Sequence, residues 1–142
     1  MSLSCIFCKI VAGEIAADKI FEDEACIVFL DNRPLFPGHC LVCPKEHIET
    51  LPDLPADLIQ PLFANAQLMA KAVELGLEAH GSFVAVNNKI SQSVPHLHVH
   101  VVPRRTKDGL KGFFWPRSPY AGEEEKLAVQ KALQAAVEAL RR

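Results

Sequence analysis

Apolar and polar positions along this chain repeat with two different periods, and each period marks a different kind of element. From residue 95 to residue 105 the chain reads Pro-His-Leu-His-Val-His-Val-Val-Pro-Arg-Arg. Strict alternation is the signature of a strand with one face in the core. Leu97, Val99 and Val101 are then expected to face inward, while His96, His98 and His100 share the other face. Further strands are predicted at Lys19-Ile20-Phe21-Glu22 and at 25–30, joined as a hairpin at Asp23-Glu24. Cys40-Leu41-Val42-Cys43 reads as another, stopped by Pro44, and 82–87 leads toward the histidine strand.

The second period is helical. Between Pro55 and Leu75, Leu58, Leu62, Ala66, Met69 and Val73 fall on one face. Pro61 interrupts that pattern, since proline removes an amide donor and crowds the preceding turn. A short helix ending near Gln60, or a kink there, is therefore predicted, with Gly76 as the C-terminal cap. Residues 123–142 form a second helix, with Glu123, Glu124 and Glu125 at its start and Arg141-Arg142 at its end. That charge order suits the helix dipole. Strands first, with a helix between strand groups, predict an α+β fold built on an antiparallel sheet. The 142 residues are read as one domain, with a core at 4–105 and a C-terminal loop and helix at 106–142.

Composition narrows the function. Apolar residues make up 49% and charged residues 23%, a globular balance. A formal net charge of −2 provides no basic field for a long nucleic acid. No apolar run is long enough to span a bilayer, and no secretory signal is visible. Five cysteines, an odd number, argue against a disulfide framework and for a reducing, cytoplasmic compartment.

The histidine strand and the cysteines carry the candidate chemistry. Imidazole can trade protons near neutral pH, ligate a metal, or attack phosphorus. Three histidines on a solvated edge would be the plain alternative. Cys5-x-x-Cys8 can grip one metal ion, and zinc would need two more ligands, for which His47 and His96 are candidates. Cys40 and Cys43, three apart on a strand, point to opposite faces and suit a core better than a metal.

These pieces together resemble the histidine triad (HIT) superfamily of nucleotide hydrolases and transferases. His96-Leu97-His98-Val99-His100-Val101-Val102 matches its His-φ-His-φ-His-φ-φ signature, φ being apolar. Cys5-Ile6-Phe7-Cys8-Lys9-Ile10-Val11-Ala12-Gly13-Glu14-Ile15 resembles its N-terminal segment. Asp31-Asn32-Arg33-Pro34 with Pro37-Gly38-His39 resembles its nucleotide-binding loop, and Leu41-Val42-Cys43-Pro44-Lys45-Glu46-His47 the stretch after it. The resemblance covers roughly 4–105.

It implies a HIT-like fold: a five-stranded antiparallel sheet with one central helix and a C-terminal helix, paired as a two-fold homodimer. It also implies a structural zinc on Cys5, Cys8, His47 and His96. His98 would attack the α-phosphorus of a nucleoside phosphate derivative and carry a covalent nucleotidyl group, its other ring nitrogen held by a backbone carbonyl. His100 and His39 would bind phosphate oxygens or aid proton transfer. Asn87, Gln92 and Ser93 match positions near the phosphates and leaving group, and Asp31 the acid that meets the ribose hydroxyls. Phe7, Phe29 and Leu30 would form the slot for a base.

The chain also departs from the pattern. Asn87-Asn88-Lys89-Ile90-Ser91-Gln92 lacks the glycines usual before the triad, and Lys89 adds a cation. Gln92-Ser93-Val94 resembles the Hint-type branch, which cleaves nucleoside phosphoramidates. Val102-Pro103-Arg104 resembles the Fhit-type branch, which cleaves dinucleoside polyphosphates. Phe114-Trp115-Pro116-Arg117 resembles a tail that reaches the partner subunit's site in Hint-type dimers. Two other readings stand beside this one. The histidine strand could ligate a catalytic metal, or the chain could be a non-catalytic nucleotide-binding adaptor.

Overall fold

Residues 4–112 and 115–142 are described by a computed structural model of the chain, so Phe113 and Phe114 of the aromatic tail lie outside the described residues. Two compact units divide it, one ending at Asp108 and the other running from Gly109 to Arg142. In the first unit, α1 (Ile6–Val11) precedes β1 (Lys19–Glu22), β2 (Cys26–Leu30) and β3 (Cys40–Pro44). Then come α2 (Ala56–Leu77), β4 (Gly81–Ala85) and β5 (Val99–Arg104). The five strands form one antiparallel sheet in the order β1-β2-β3-β5-β4. The second unit holds α3 (Glu123–Leu140), with its three glutamates in the first turn. The α+β fold with a central and a C-terminal helix is the one expected.

The register explains how one sheet makes both a core and a site. Val28 pairs with Val42, which pairs with Val99, and this row lies under α2. Leu62, Ala66, Met69 and Val73 of α2 are buried against it, with Leu58 partly buried, as the helical spacing predicts. Leu62 is 0% exposed, and burying a side chain of that size contributes about 2–3 kcal/mol. The next row, Phe29–Leu41–His100, lies on the other face. There it packs with α1, so Phe7, Cys5 and Cys8 close over Ile27, Phe29, Leu41 and Cys43. Central strands buried on both faces have no polar side. Accordingly β2 and β3 read as apolar runs, whereas the alternation of 96–101 leads into β5 at Val99.

Several expectations need correction. Helix α2 runs through Pro61 without a break, starting at Ala56. Proline there forfeits one bond, to the carbonyl of Asp57 on an exposed turn, while Leu62 next to it is anchored in the core. The cap is Glu78 in the left-handed region (φ 56°), not Gly76, because helical packing continues through Leu77. Strand β3 includes Pro44, which pairs with Cys26 at the end of the ladder. Only His100 of the three histidines lies in the β5 ladder, which starts at Val99; Leu97 instead donates its N–H to the Ile48 carbonyl at 2.7 Å. The histidines are also far from solvated: His96 is 0% and His98 5% exposed.

Candidate active site and metal cluster

Burial on this scale forces each imidazole to find partners, and those partners fix its tautomer. His98 Nδ1 lies 2.6 Å from the His96 carbonyl oxygen. An acceptor there requires Nδ1 to carry the proton, which leaves Nε2 with the free lone pair. Burial also pushes the His98 imidazole below its ordinary range, so the ring is neutral at pH 7. A neutral imidazole with an unprotonated Nε2 is a nucleophile.

His98 and His100 line a cleft of about 200 Å³, together with Phe7, Phe29, Leu30, Asp31 and Ser93. The Phe7 ring stands edge-on to Phe29 at 5.3 Å and to His98 at 5.1 Å. Seven of the candidate residues are therefore brought together by α1, the β2 end, β5 and the loop before the triad. His39 reaches the cleft only through His100, their Nε2 and Nδ1 being 2.9 Å apart. Asp31 Oδ2 lies 3.6 Å from His39 Nε2, while Asp31 Oδ1 accepts the Arg33 N–H at 2.8 Å.

Gln92 and Asn87 are placed beside the cleft and not on its lining. Gln92 donates to the Glu49 carbonyl at 2.6 Å and accepts the Lys89 N–H at 2.8 Å. Asn87 donates to the Ser91 carbonyl at 3.3 Å. Both therefore shape the loop that carries Ser93. In that loop Lys89 (φ 70°) and Ser91 (φ 61°) occupy the left-handed region, which glycine would adopt without strain. The 87–92 backbone thus bends as a glycine-bearing loop would, held there by side-chain bonds instead. Sequence reasoning left Ile6, Ile10 and Arg33 unassigned, although they line the cleft. Arg33 is two residues from Asp31, and that proximity was the available signal.

The second constellation sits at the N-terminus of α1. Cys5 caps that helix, accepting the Cys8 N–H on its sulfur at 3.4 Å. Cys5 Sγ is 3.4 Å from His96 Nδ1, and Cys8 Sγ is 3.6 Å from the same atom and 3.2 Å from His47 Nδ1. All four ligand atoms lie within 4.8 Å of one another. Ligands about 2.0–2.3 Å from a tetrahedral zinc stand roughly 3.3–3.8 Å apart, so the observed spacings fit that ion. The tautomer fits as well. His96 Nε2–H donates to the Pro44 carbonyl at 2.8 Å, which leaves Nδ1 as the ligand nitrogen. By contrast Cys40 and Cys43 fall in separate clusters on opposite faces of the sheet, as their spacing requires.

Asp31, His39 and His100 are a second compact group, also within 4.8 Å. Their tautomers disfavour a metal. His39 Nδ1 accepts the Leu35 N–H at 3.1 Å, so Nε2 bears the proton where a metal would need a lone pair. The three triad rings likewise turn to three different partners: the thiols, the His96 carbonyl and His39.

A fold of this order, with a buried neutral histidine beside an apolar slot and an acid, defines a histidine triad protein. The match to the HIT domain family extends over residues 12–107, and the chain belongs to that family. It is 40% identical over 114 residues to Protein hit of Bacillus subtilis, covering 79% of each chain. An adenosine 5′-monophosphoramidase of Schizosaccharomyces pombe is 35% identical over 125 residues, 87% of this chain and 92% of the relative. Among solved structures, a Zn-bound histidine triad family protein from Mycobacterium smegmatis is 40% identical, with a TM-score of 0.74. That comparison covers 96% of this chain and 99% of the other.

Proposed function

We propose that this protein hydrolyses nucleoside 5′-phosphate derivatives through a covalent nucleotidyl group on His98. The substrate is a purine nucleoside phosphoramidate or a dinucleoside polyphosphate. The observation that carries this reading is the His98 ring: Nδ1 is committed to the His96 carbonyl, which leaves Nε2 free to act at a cleft lined by Asp31 and an apolar slot. The similarity to a named adenosine 5′-monophosphoramidase favours the phosphoramidate.

In the first step His98 Nε2 attacks the α-phosphorus, a P–N bond to the ring forms, and the bond to the leaving group breaks. A leaving amine takes up a proton as it departs. Water then attacks the adduct, gives a proton back, and the P–N bond breaks to release the nucleoside monophosphate and neutral His98. His100 donates to the phosphate oxygens as charge moves onto them. Asp31 receives the ribose hydroxyls, Phe7, Phe29 and Leu30 hold the base, and Ser93 faces the leaving group. Asn87 and Gln92 act by shaping the loop.

Cys5, Cys8, His47 and His96 would hold a zinc ion, whose contribution is to the fold. The active form is a homodimer on this reading, and β4, which ends the sheet with Val84 46% exposed, offers an edge for a second copy. No helix among the described residues is long and apolar enough to cross a membrane. None of the five cysteines forms a disulfide, which suits a reducing cytoplasm.

The test is AMP release from adenosine 5′-phosphoramidate in EDTA, comparing wild type with His98→Ala. Release by wild type and none by the variant supports the proposal. Metal-dependent release would point to a catalytic ion, and tight AMP binding without turnover of either substrate class to an adaptor.

A further inference from the structure

We propose that the turn at Gly38 and the ring of His39 form a positioning relay, one that fixes the tautomer of His100 so that its Nε2–H is a standing donor to the substrate's phosphate. The proposal rests on the hydrolase reading above and assigns roles within the same site. His39 is then a positioning residue and Gly38 a second one, neither of them touching substrate.

The relay follows from three contacts. Leu35 N–H points at His39 Nδ1 from 3.1 Å, so that nitrogen must be an acceptor and the ring proton sits on Nε2. Asp31 Oδ2, 3.6 Å away, favours the proton at the same place. His39 Nε2 is 2.9 Å from His100 Nδ1, so His100 must accept there and carry its own proton on Nε2. The other His100 tautomer would set two N–H groups against each other at that distance. His100 lines the cleft and His39 does not. One backbone amide in a loop thus decides which atom of His100 is presented to the phosphate.

The loop is seated by packing. Asp31 N–H donates to the His39 carbonyl at 2.9 Å and His39 N–H to the Phe36 carbonyl at 3.0 Å. Gly38 has φ +100°, a conformation that strains any side chain. A Cβ there would also collide with Leu77 Cδ1 at the end of α2 and stand 3.0 Å from Pro103 Cγ in β5. Gly38 therefore lets the turn close against two elements of the fold, and the position of Leu35 N–H depends on that closure. An imidazole free of such a partner would divide between tautomers, and only one of them donates into the cleft. A donor oriented in advance avoids that reorganisation during reaction.

The experiment records ring ¹⁵N spectra of His100 in the full-length, zinc-loaded protein, alongside kcat and KM. Wild type is expected to show the Nε2–H tautomer. Gln at position 39 offers an acceptor and a donor as the neutral imidazole does, so His39→Gln should keep that tautomer and most of kcat. His39→Leu should give mixed tautomers and a kcat lower by roughly a hundredfold, with KM little changed. Gly38→Ala should shift His100 toward the mixture without any change at the rings themselves, and the two His39 variants decide the matter if it fails to fold. A His39→Leu protein with the wild-type His100 tautomer would overturn the proposal, as would equal losses of kcat in the Gln and Leu variants. The spectra need no substrate. A wild type that shows the tautomer but hydrolyses nothing would therefore count against the hydrolase reading and leave the relay standing.

Discussion

His96 and His98 are joined by a 2.6 Å hydrogen bond in which the backbone carbonyl of the first holds the ring of the second. The same His96 presents its Nδ1 to Cys5 and Cys8. One residue thus belongs to both constellations, its side chain to the Cys5–Cys8–His47 group and its carbonyl to the His98 ring. The Pro44 carbonyl at 2.8 Å completes the link by fixing the His96 ring to the end of β3.

Metal removal should therefore act on the fold first and on the rate only as the fold loosens. Cys8→Ser is expected to lose bound zinc and to lower Tm by about 10 °C or more, as loss of a few kcal/mol does in a domain of this size. Zinc content and thermal unfolding check this. Activity of the remaining folded fraction should persist in chelator. A loss of rate that outran the loss of folded protein would show that the ion takes part in the chemistry.

The acid limb of the rate should lie below the ordinary histidine range. Burial, then the neighbouring His98 and His39, hold His100 down from 6.5 to about 4, and burial lowers His98 as well. With the neutral rings as the proposed working forms, kcat/KM should stay level as pH falls to 6.5 and decline only below it. Stability follows the same sign. Rings neutral in the folded state and charged in the unfolded one contribute fully above pH 6.5, and that contribution is lost as pH falls toward 4. Parallel pH profiles of kcat/KM and Tm test both halves.

Strain in the loop before the triad makes a prediction in the opposite direction from most substitutions. Ser91 holds φ 61°, a region that costs an L-residue about 1–2 kcal/mol. Glycine relieves that strain and gives back part of it as unfolded-chain entropy, so Ser91→Gly should stabilise by roughly 0.5–1 kcal/mol. Denaturant midpoints at constant slope measure it.

The fit of α2 to the valine row gives a conventional counterpart. Leu62→Ala removes a side chain with 0% exposure and should destabilise by about 2–5 kcal/mol. Equilibrium unfolding in urea reads this directly, with folded-state kcat expected to be near wild type because Leu62 lies on the face away from the cleft.

Local patterns were legible in the sequence, and long-range geometry was not. The α2 face, the β1–β2 hairpin and the split between Cys40 and Cys43 could be read because period and spacing act within a few residues. The Cys5–Cys8 pair with His47 and His96 was named from ligand chemistry and resemblance, and the fold brings those atoms together. What could not be read depends on partners far away in the chain. Helix α1 is six residues long, too short to show a period. The register that aligns Phe29, Leu41 and His100 joins three strands from three parts of the sequence. Pro61 inside α2 and Glu78 at its cap went against local rules, because core packing of Leu62 and Val73 outweighs one lost bond and one left-handed residue. The left-handed residues Lys89 and Ser91 are a different case, held by the near neighbours Gln92 and Asn87 at positions where no glycine marks the bend.

A nucleotide carried on His98 during turnover, as proposed above, leaves a trace that can be trapped. The most direct measurement is acid-free quenching of wild type within the first turnovers of adenosine 5′-phosphoramidate, followed by peptide mapping of the adduct by mass spectrometry. An adenylyl group is expected on His98, labile to acid and stable to alkali, and absent from His98→Ala, whose rate should fall by roughly 10⁴-fold or more. Rapid AMP release with no adduct at any time, or an adduct on another residue, would contradict the proposal.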